Sequence, residues 1–287
     1  MRAYEDWVIE AETKGMKISE VILRNQMEEL DQSEQVLFQR MHTNLVVMRE
    51  SVEAGLSGNR RSLSGLVGED AAKVEGRRKS GESLIGDRMS GAIAKALAVA
   101  EVNACMGKIV AAPTAGSCGV LPAVFFTVED ARQVSEHELL LALFTAAGIG
   151  MIIADRASVS GAEGGCQAEI GSAAAMAAAA AVELAGGSPR QTAHAAAIAM
   201  KSMLGLVCDP VGGLVEVPCV KRNATGATIA LVAAEMALSG VRSAIPIDEV
   251  IDAMGAIGKQ IPCALKETAQ GGLAVTPTGR RIQVGFL

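Results

Sequence analysis

The chain has 287 residues, a mass of 29.5 kDa and a net charge of −6; Ala (49) and Gly (31) fill more than a quarter of it, while aromatic residues make up 2%. A hydrophobic content of 50% with mean hydropathy +0.31 excludes a disordered chain, and so few aromatics beside such long alanine runs argue against a β-sandwich or barrel. A pI near 5.3 removes the basic footprint expected of a binder of nucleic acid or anionic membrane. A mostly helical chain acting on a small ligand is expected.

Residues 1–54 carry helical periodicity with mixed charge, through Ile18, Val21, Ile22, Met27 and Leu30 and then Val36, Leu37, Met41, Leu45 and Met48, which predicts two amphipathic helices. The opening stretch 1–12 is acidic and lacks the basic and apolar regions of a secretory signal, so a cytoplasmic location is expected. Between 55 and 90 the composition shifts to Gly, Ser and charge, as in Glu75-Gly76-Arg77-Arg78-Lys79-Ser80-Gly81, and a loop-rich, mobile connector is predicted. Residues 1–90 are expected to form part of the same domain as a helical core over 91–287. In that core the pattern predicts helices near 91–107, 120–131, 136–154, 167–185, 189–205, 223–240 and 247–257, with Ser188 as an N-cap and Pro189 at the first helical position of the fifth.

The run 109–128 lacks charge over a bilayer-spanning length, but Pro113, Gly116, Gly119 and Pro122 would strand backbone groups in lipid. The apolar runs 139–154 and 170–182 are shorter than a span and bounded by Glu138, Asp155, Glu169 and Glu183. No membrane span is expected.

Three glycine-rich turns interrupt the helices. The first, Ala112-Pro113-Thr114-Ala115-Gly116-Ser117-Cys118-Gly119-Val120-Leu121-Pro122, has small residues, hydroxyls and a following helix N-terminus, which suit a carboxylate or phosphate. It reads equally as a helix–helix corner with capping hydroxyls. The second, Ser160-Gly161-Ala162-Glu163-Gly164-Gly165-Cys166-Gln167-Ala168-Glu169, places a cysteine at the start of the poly-Ala helix, where the dipole favours thiolate. The third, 208–219, is glycine-rich and apolar, with Cys208 and Cys219 at its ends. Six cysteines in a reducing compartment are expected as thiols or ligands, not disulfides. Cys105 and Cys263 read as packing residues, whereas Cys166, Cys208 and Cys219 lie in loops and read as metal ligands. Their spacing lacks the paired form of a structural zinc site; three thiolates without a fourth suit an iron–sulfur cluster with one iron left open as a Lewis acid.

The run Val102-Asn103-Ala104 through Thr114-Ala115-Gly116-Ser117-Cys118-Gly119, the Glu163-Gly164-Gly165-Cys166-Gln167-Ala168-Glu169 turn, and the stretch from Cys208-Asp209-Pro210 to Pro218-Cys219-Val220-Lys221-Arg222-Asn223-Ala224 together resemble the alpha chain of iron–sulfur-dependent L-serine dehydratases, over nearly the whole chain. The resemblance implies an all-α, Ala/Gly-rich catalytic domain built around a [4Fe–4S] cluster held by Cys166, Cys208 and Cys219. It implies deamination of L-serine to pyruvate and ammonia. Thr114, Gly116, Ser117, Cys118 and Gly119 would then bind the substrate, with Lys221, Arg222 and Asn223 as contacts of substrate or ligands. The base for the α-proton is unassigned: His137 and His194 read as structural, His42 as exposed, and in split members a separate beta chain carries a serine- and histidine-containing motif. A beta chain is therefore an expected partner and the chain alone is expected to be incomplete. The Gln270-Gly271-Gly272-Leu273-Ala274 segment is also family-like, while Gly285-Phe286-Leu287 lacks the terminal cysteine of some single-chain relatives. Two alternatives stay open, a dehydratase for another β-hydroxy amino acid such as threonine and a non-catalytic helical binding subunit. No lysine lies in a setting that would mark a pyridoxal phosphate site.

Overall fold

A computed structural model describes residues 3–285; the first two residues of the acidic opening stretch, and Phe286-Leu287 of the terminus that lacks a cysteine, lie outside the described residues. In chain order these form α1 (Tyr4–Lys14), α2 (Ile18–Leu30), α3 (Glu34–Leu56), α4 (Asp70–Lys79), α5 (Gly86–Ala104), α6 (Val120–Arg132), α7 (Glu136–Arg156), the single turn α8 (Gly161–Gly164), α9 (Ser172–Leu184), α10 (Pro189–Lys201), α11 (Cys219–Leu238), α12 (Ile247–Gln260) and α13 (Pro277–Val284). The expected all-α fold is what forms. Among the described residues the strand-like pairing is a single isolated bridge, Cys208 to Lys266.

Helix α9 is the axis. Every residue from Ser172 to Leu184 is buried, and α6, α7, α10 and α11 pack around it. Eight of its thirteen residues are Ala, which is how four neighbours can close on one helix with so few large side chains. Bulk is supplied at the periphery by Phe125, Phe144, Ile149, Ile153 and Met200, and by Tyr4 and Trp7 of α1, whose rings meet edge to face at 6.1 Å. Helix α7 has 21 residues, longer than the run 139–154 read from the sequence and long enough to cross a bilayer, but 67% of its most apolar window is buried inside the bundle.

Several boundaries differ from expectation. The N-terminal region folds as three helices, because Gly15 adopts a left-handed conformation (φ 64°) that ends α1 before Ile18. The segment 167–171 is a π-helical turn that precedes α9, so the helix predicted over 167–185 is divided. Helix α11 starts at Cys219, not at 223, and α13 was not anticipated.

The connector is also more ordered than its composition implied. Helix α4 lies within it, and the buried Glu101 of α5 accepts from the amides of Asp70 (2.8 Å) and Ala71 (3.4 Å), capping a helix that has no side-chain cap of its own. Asp248 of α12 does the same for α1, accepting from Tyr4 N at 2.9 Å and Glu5 N at 3.1 Å. Carboxylates from distant helices thus satisfy free amides and oppose the helix dipole, so neither cap can be recognised from local sequence.

A third carboxyl, Glu183 of α9, is buried and accepts from Thr145 Oγ1 (2.6 Å) and Ser19 N (3.2 Å). Burial raises its pKa above the usual carboxyl range, against the opposing hydrogen bonds from Ser19 and Thr145. An acid whose folded pKa exceeds its unfolded pKa carries no penalty while both states are protonated. The penalty grows as pH rises from the unfolded value to the folded one. Wild-type stability should therefore decline across that window relative to Glu183→Gln, which stays neutral. Urea midpoints for the two proteins at several pH values test this, and parallel pH trends would refute it.

Candidate active site

The first turn is built by its own hydroxyls and by a side chain from α11. Residues Ala115–Ser117 form a 3-10 turn; Ser117 Oγ lies 3.1 Å from Thr114 Oγ1, and Thr114 Oγ1 donates to Glu169 Oε1 at 2.7 Å. Asn223 is fully engaged. Its Oδ1 accepts from Gly119 N (2.8 Å), and its Nδ2 donates to the carbonyls of Gly116 (2.8 Å) and Cys219 (3.0 Å). One buried amide therefore ties the start of α11, where Cys219 sits, to the turn at the start of α6. Gly119 permits the approach: a Cβ there would lie 2.3 Å from the Ala96 carbonyl oxygen of α5.

The second and third turns are clamped together in the same way. Gln167 donates from Nε2 to the carbonyls of Gly164 (2.9 Å) and Met254 (3.0 Å), while its Oε1 accepts from Gly205 N at 2.9 Å. Its own amide donates to the Leu206 carbonyl at 2.9 Å. The loop carrying Cys208 pairs with the C-terminal segment through Cys208 N to Leu265 O (2.9 Å) and Glu267 N to Cys208 O (2.8 Å). Beside it, Asp209 accepts from Arg222 Nη2 (2.9 Å) and from Leu273 N (2.8 Å), which fixes the glycine-rich 270–274 segment against the site.

These clamps bring Cys166, Cys208 and Cys219 within one another's electrostatic reach, with all three side chains buried. Burial pushes the Cys166 thiol up to about 11 and the Cys219 thiol up to about 12. Cys208 is driven furthest, by burial and then by Cys166, Glu169 and Cys219 around it. The Arg222 guanidinium opposes this at Cys166 and Cys219. Burial thus favours the neutral thiols, and Arg222 is the positive charge that favours thiolate at two of them.

Among the described residues, no three thiol, imidazole or carboxylate groups converge closely enough to hold a single ion. A tetrahedral zinc would need sulfurs about 3.8 Å apart, given Zn–S bonds near 2.3 Å. Three soft donors with no fourth suit a larger iron–sulfur centre. Gly161 leaves space beside them: a Cβ there would stand 3.3 Å from Cys208 Sγ and 2.6 Å from Glu169 Oε2.

Of the residues singled out in the sequence, Thr114, Gly116, Ser117, Gly119, Cys166, Cys208, Cys219, Arg222 and Asn223 are linked into this one assembly. Two point elsewhere. Lys221 Nζ reaches Asp70 Oδ2 of α4 at 2.6 Å, and Cys118 is buried against the Val99 carbonyl of α5 at 3.9 Å, with burial pushing its thiol up to about 12. Cys263, expected to be packed, is exposed, and Cys105 is half-buried. The histidines are occupied away from the thiols: His137 stacks on Phe38 at 5.3 Å, His194 Nδ1 accepts from Ser243 N at 3.3 Å, and His42 lies 3.5 Å from Glu136.

Sequence reasoning missed Glu169. It is half-buried between Thr114, Gly116 and Gly161, and burial raises its pKa despite donation from Thr114. The readable signal was an acidic residue three positions after Cys166, on the turn leading into the poly-Ala helix. Glu216 was also missed; it is buried and accepts from Ser62 Oγ at 2.7 Å and from Ser64 Oγ, which ties the 62–67 loop of the connector to the third turn.

Among the described residues an all-helical fold gathers three buried thiols, a carboxyl and a hydroxyl-lined turn at the ends of its central helices, the features of an enzyme that acts on a small polar molecule. The family model described as the serine dehydratase alpha chain matches residues 13–274. The chain is similar to a probable L-serine dehydratase alpha chain of Bacillus subtilis (strain 168), 54% identical over 270 residues, covering 94% of this chain and 90% of that one. It is 42% identical to the L-serine dehydratase alpha chain of Peptoniphilus asaccharolyticus, covering 96% and 94% respectively. An L-serine dehydratase of Streptomyces coelicolor is 40% identical over 92% of this chain, which spans 58% of that longer protein. The chain belongs to the serine dehydratase alpha chain family.

Two substitutions separate frame from cradle. Asn223→Ala leaves two carbonyls and an amide without their partner and should lower stability by about 2–4 kcal/mol, read as a shift in urea midpoint; an unchanged midpoint would contradict the clamp. Gly161→Ala should keep the helical circular dichroism of the wild type while displacing Glu169 or Cys208, seen as a changed rate of Cys208 alkylation by a thiol reagent. An unchanged rate would show that the space beside Cys208 is not needed.

Proposed function

We propose that this chain is the catalytic alpha subunit of an L-serine dehydratase, converting L-serine to pyruvate and ammonia in the cytoplasm, and that Cys166, Cys208 and Cys219 hold its [4Fe–4S] cluster. The observation that carries the reading is the grouping of three buried thiols within one another's electrostatic reach, near the Glu169 that Thr114 holds, in a chain whose family is that of the serine dehydratase alpha chains. When bound, the cluster supplies Lewis acidity toward the β-hydroxyl that leaves with the electron pair of the C–O bond.

The protein's share is recognition and placement. Serine is a zwitterion, and the site offers groups of both signs. The 114–119 turn offers the backbone amides of Ala115 and Gly116 to the carboxylate, its remaining amides and the Ser117 hydroxyl being spent on holding the turn, while Glu169, itself held by Thr114, accepts from the α-ammonium. Asn223 and Gln167 keep the turns in register, so that the α-carbon and β-oxygen are presented in one orientation. Arg222, anchored by Asp209 and by the Val207 carbonyl at 2.8 Å, sets a fixed positive charge beside Cys166 that favours its thiolate. Removal of the α-proton and departure of the β-hydroxyl leave an enamine, which tautomerises to an imine and hydrolyses to pyruvate and ammonia.

The histidines of this chain are engaged elsewhere. The base for the α-proton therefore belongs to a partner, the beta chain that the word alpha in the names of its relatives implies. The longer Streptomyces protein, only 58% of which this chain spans, is consistent with such a second part joined in one polypeptide.

Anaerobic reconstitution followed by iron, sulfide and visible-absorption measurement tests the cluster. Cys208→Ser should lose cluster and activity together, whereas Cys263→Ser, at an exposed thiol, should lose neither. A colourless wild type that turns over serine with added pyridoxal phosphate would overturn the reading. Glu169→Gln in the complete enzyme should lower kcat/KM for serine roughly 10- to 100-fold, the value of one charged hydrogen bond, with the absorption spectrum retained. Full-rate turnover by the isolated chain would refute the need for a beta chain.

A further inference from the structure

The turn that carries Cys166 has two faces. One contributes to the site already described; the other, through Glu163, Gly164 and Ala168, forms a wall of a separate cleft of about 400 Å³ between the end of α7, α8 and α12. The charges around this cleft balance. Arg156 and Asp252 are joined to each other, with Arg156 Nε at 3.0 Å from Asp252 Oδ1 and Nη2 at 2.5 Å from Oδ2. Glu163 uses one oxygen, Oε2, to accept from Ser158 Oγ at 2.6 Å, which leaves its second oxygen for a ligand. Lys259, two turns beyond Asp252 on α12, has no carboxylate partner among the described residues. The cleft thus offers an unsatisfied acceptor on α8 and an unsatisfied cation on α12, with Met254, Gly255 and Ala256 among its uncharged lining residues.

A simple anion at Lys259 would leave Glu163 unanswered and repelled, and a simple cation at Glu163 would meet Lys259 and Arg156. A molecule bearing both charges on adjacent atoms answers both. The two walls also meet directly: a Cβ on Gly258 would stand 3.0 Å from the Gly164 Cα, and Gln167 Nε2 donates to the Met254 carbonyl. A ligand spanning Glu163 and Lys259 therefore reinforces a contact on which the position of the Cys166 turn depends.

We propose that this cleft is a second binding site, for a small zwitterionic α-amino acid, in which Glu163 accepts from the ammonium and Lys259 pairs with the carboxylate, and that occupation pins the Cys166 turn to α12. Met254, Gly255 and Ala256 carry no charge, so an amino acid with an uncharged side chain suits the lining between the charged groups. The site is separate from the substrate turn, since none of its lining residues lies in 114–119.

Isothermal titration of the full chain with glycine and L-alanine, neither of which carries a β-hydroxyl, tests this without cluster or partner. One saturable site is expected below about 10 mM ligand. Affinity should fall roughly 10- to 100-fold in Glu163→Gln and in Lys259→Met, both at exposed positions that should keep the wild-type urea midpoint, and should persist in Thr114→Val. Hydrogen exchange of amides 163–168 should slow on saturation. Absence of a titration, equal binding of propionate or ethylammonium, indifference to both cleft substitutions, or loss in Thr114→Val would each overturn the site. Unchanged exchange at 163–168 would overturn the pinning.

Discussion

A helix enclosed on all sides cannot carry large side chains without driving its neighbours apart, and α9 is enclosed from Ser172 to Leu184. Alanine is the answer to that constraint, and it has a second effect. With α6, α7, α10 and α11 drawn close, the ends of these helices also fall close together, and the turns at those ends become the walls of one site. Each alanine buries little surface, so stability has to come from the number of contacts and from the ring of larger residues outside, Phe125, Phe144, Ile149 and Met200 among them.

The polar interior follows a consistent scheme. Buried carboxyls and amides are used as fasteners between segments far apart in sequence: Glu101 on α4, Asp248 on α1, Asn223 between two turns, Gln167 between three segments, Asp209 between α11 and the C-terminal region. Each satisfies backbone groups that would otherwise be stranded in a dry interior. The three thiols depart from this scheme, as a group of buried side chains that burial keeps neutral and whose anionic form is favoured by a positive neighbour. Arg222 supplies part of that charge, and its own anchor, Asp209, directly follows Cys208.

Much of this was legible. The alanine run 173–181 announced a buried helix, Ser188-Pro189 announced the start of α10, and cysteines in glycine-rich breaks stood apart from those inside apolar stretches. The exceptions share a cause. Lys221 and Asn223 are two residues apart on one helix and looked equivalent by adjacency to Cys219, yet one turns to Asp70 and the other to the 114–119 turn. Cys118 lies in the middle of the substrate-like motif and still packs against α5. The connector, rich in Gly, Ser and charge, reads as loop because its fasteners, Glu101 and Glu216, lie elsewhere in the chain. Glu169 could be seen but not placed: its importance comes from Thr114, 55 residues earlier. Local pattern reports which face of a helix is apolar; it does not report which distant backbone a polar side chain will reach.

The fasteners around the thiols are hydrogen bonds between protein groups alone. Asn223, Gln167 and Asp209 fix the three cysteine-bearing segments to one another and to the C-terminal region. Each reaches backbone groups of a segment other than its own, so a change at any one fastener is felt at thiols on segments to which it does not belong.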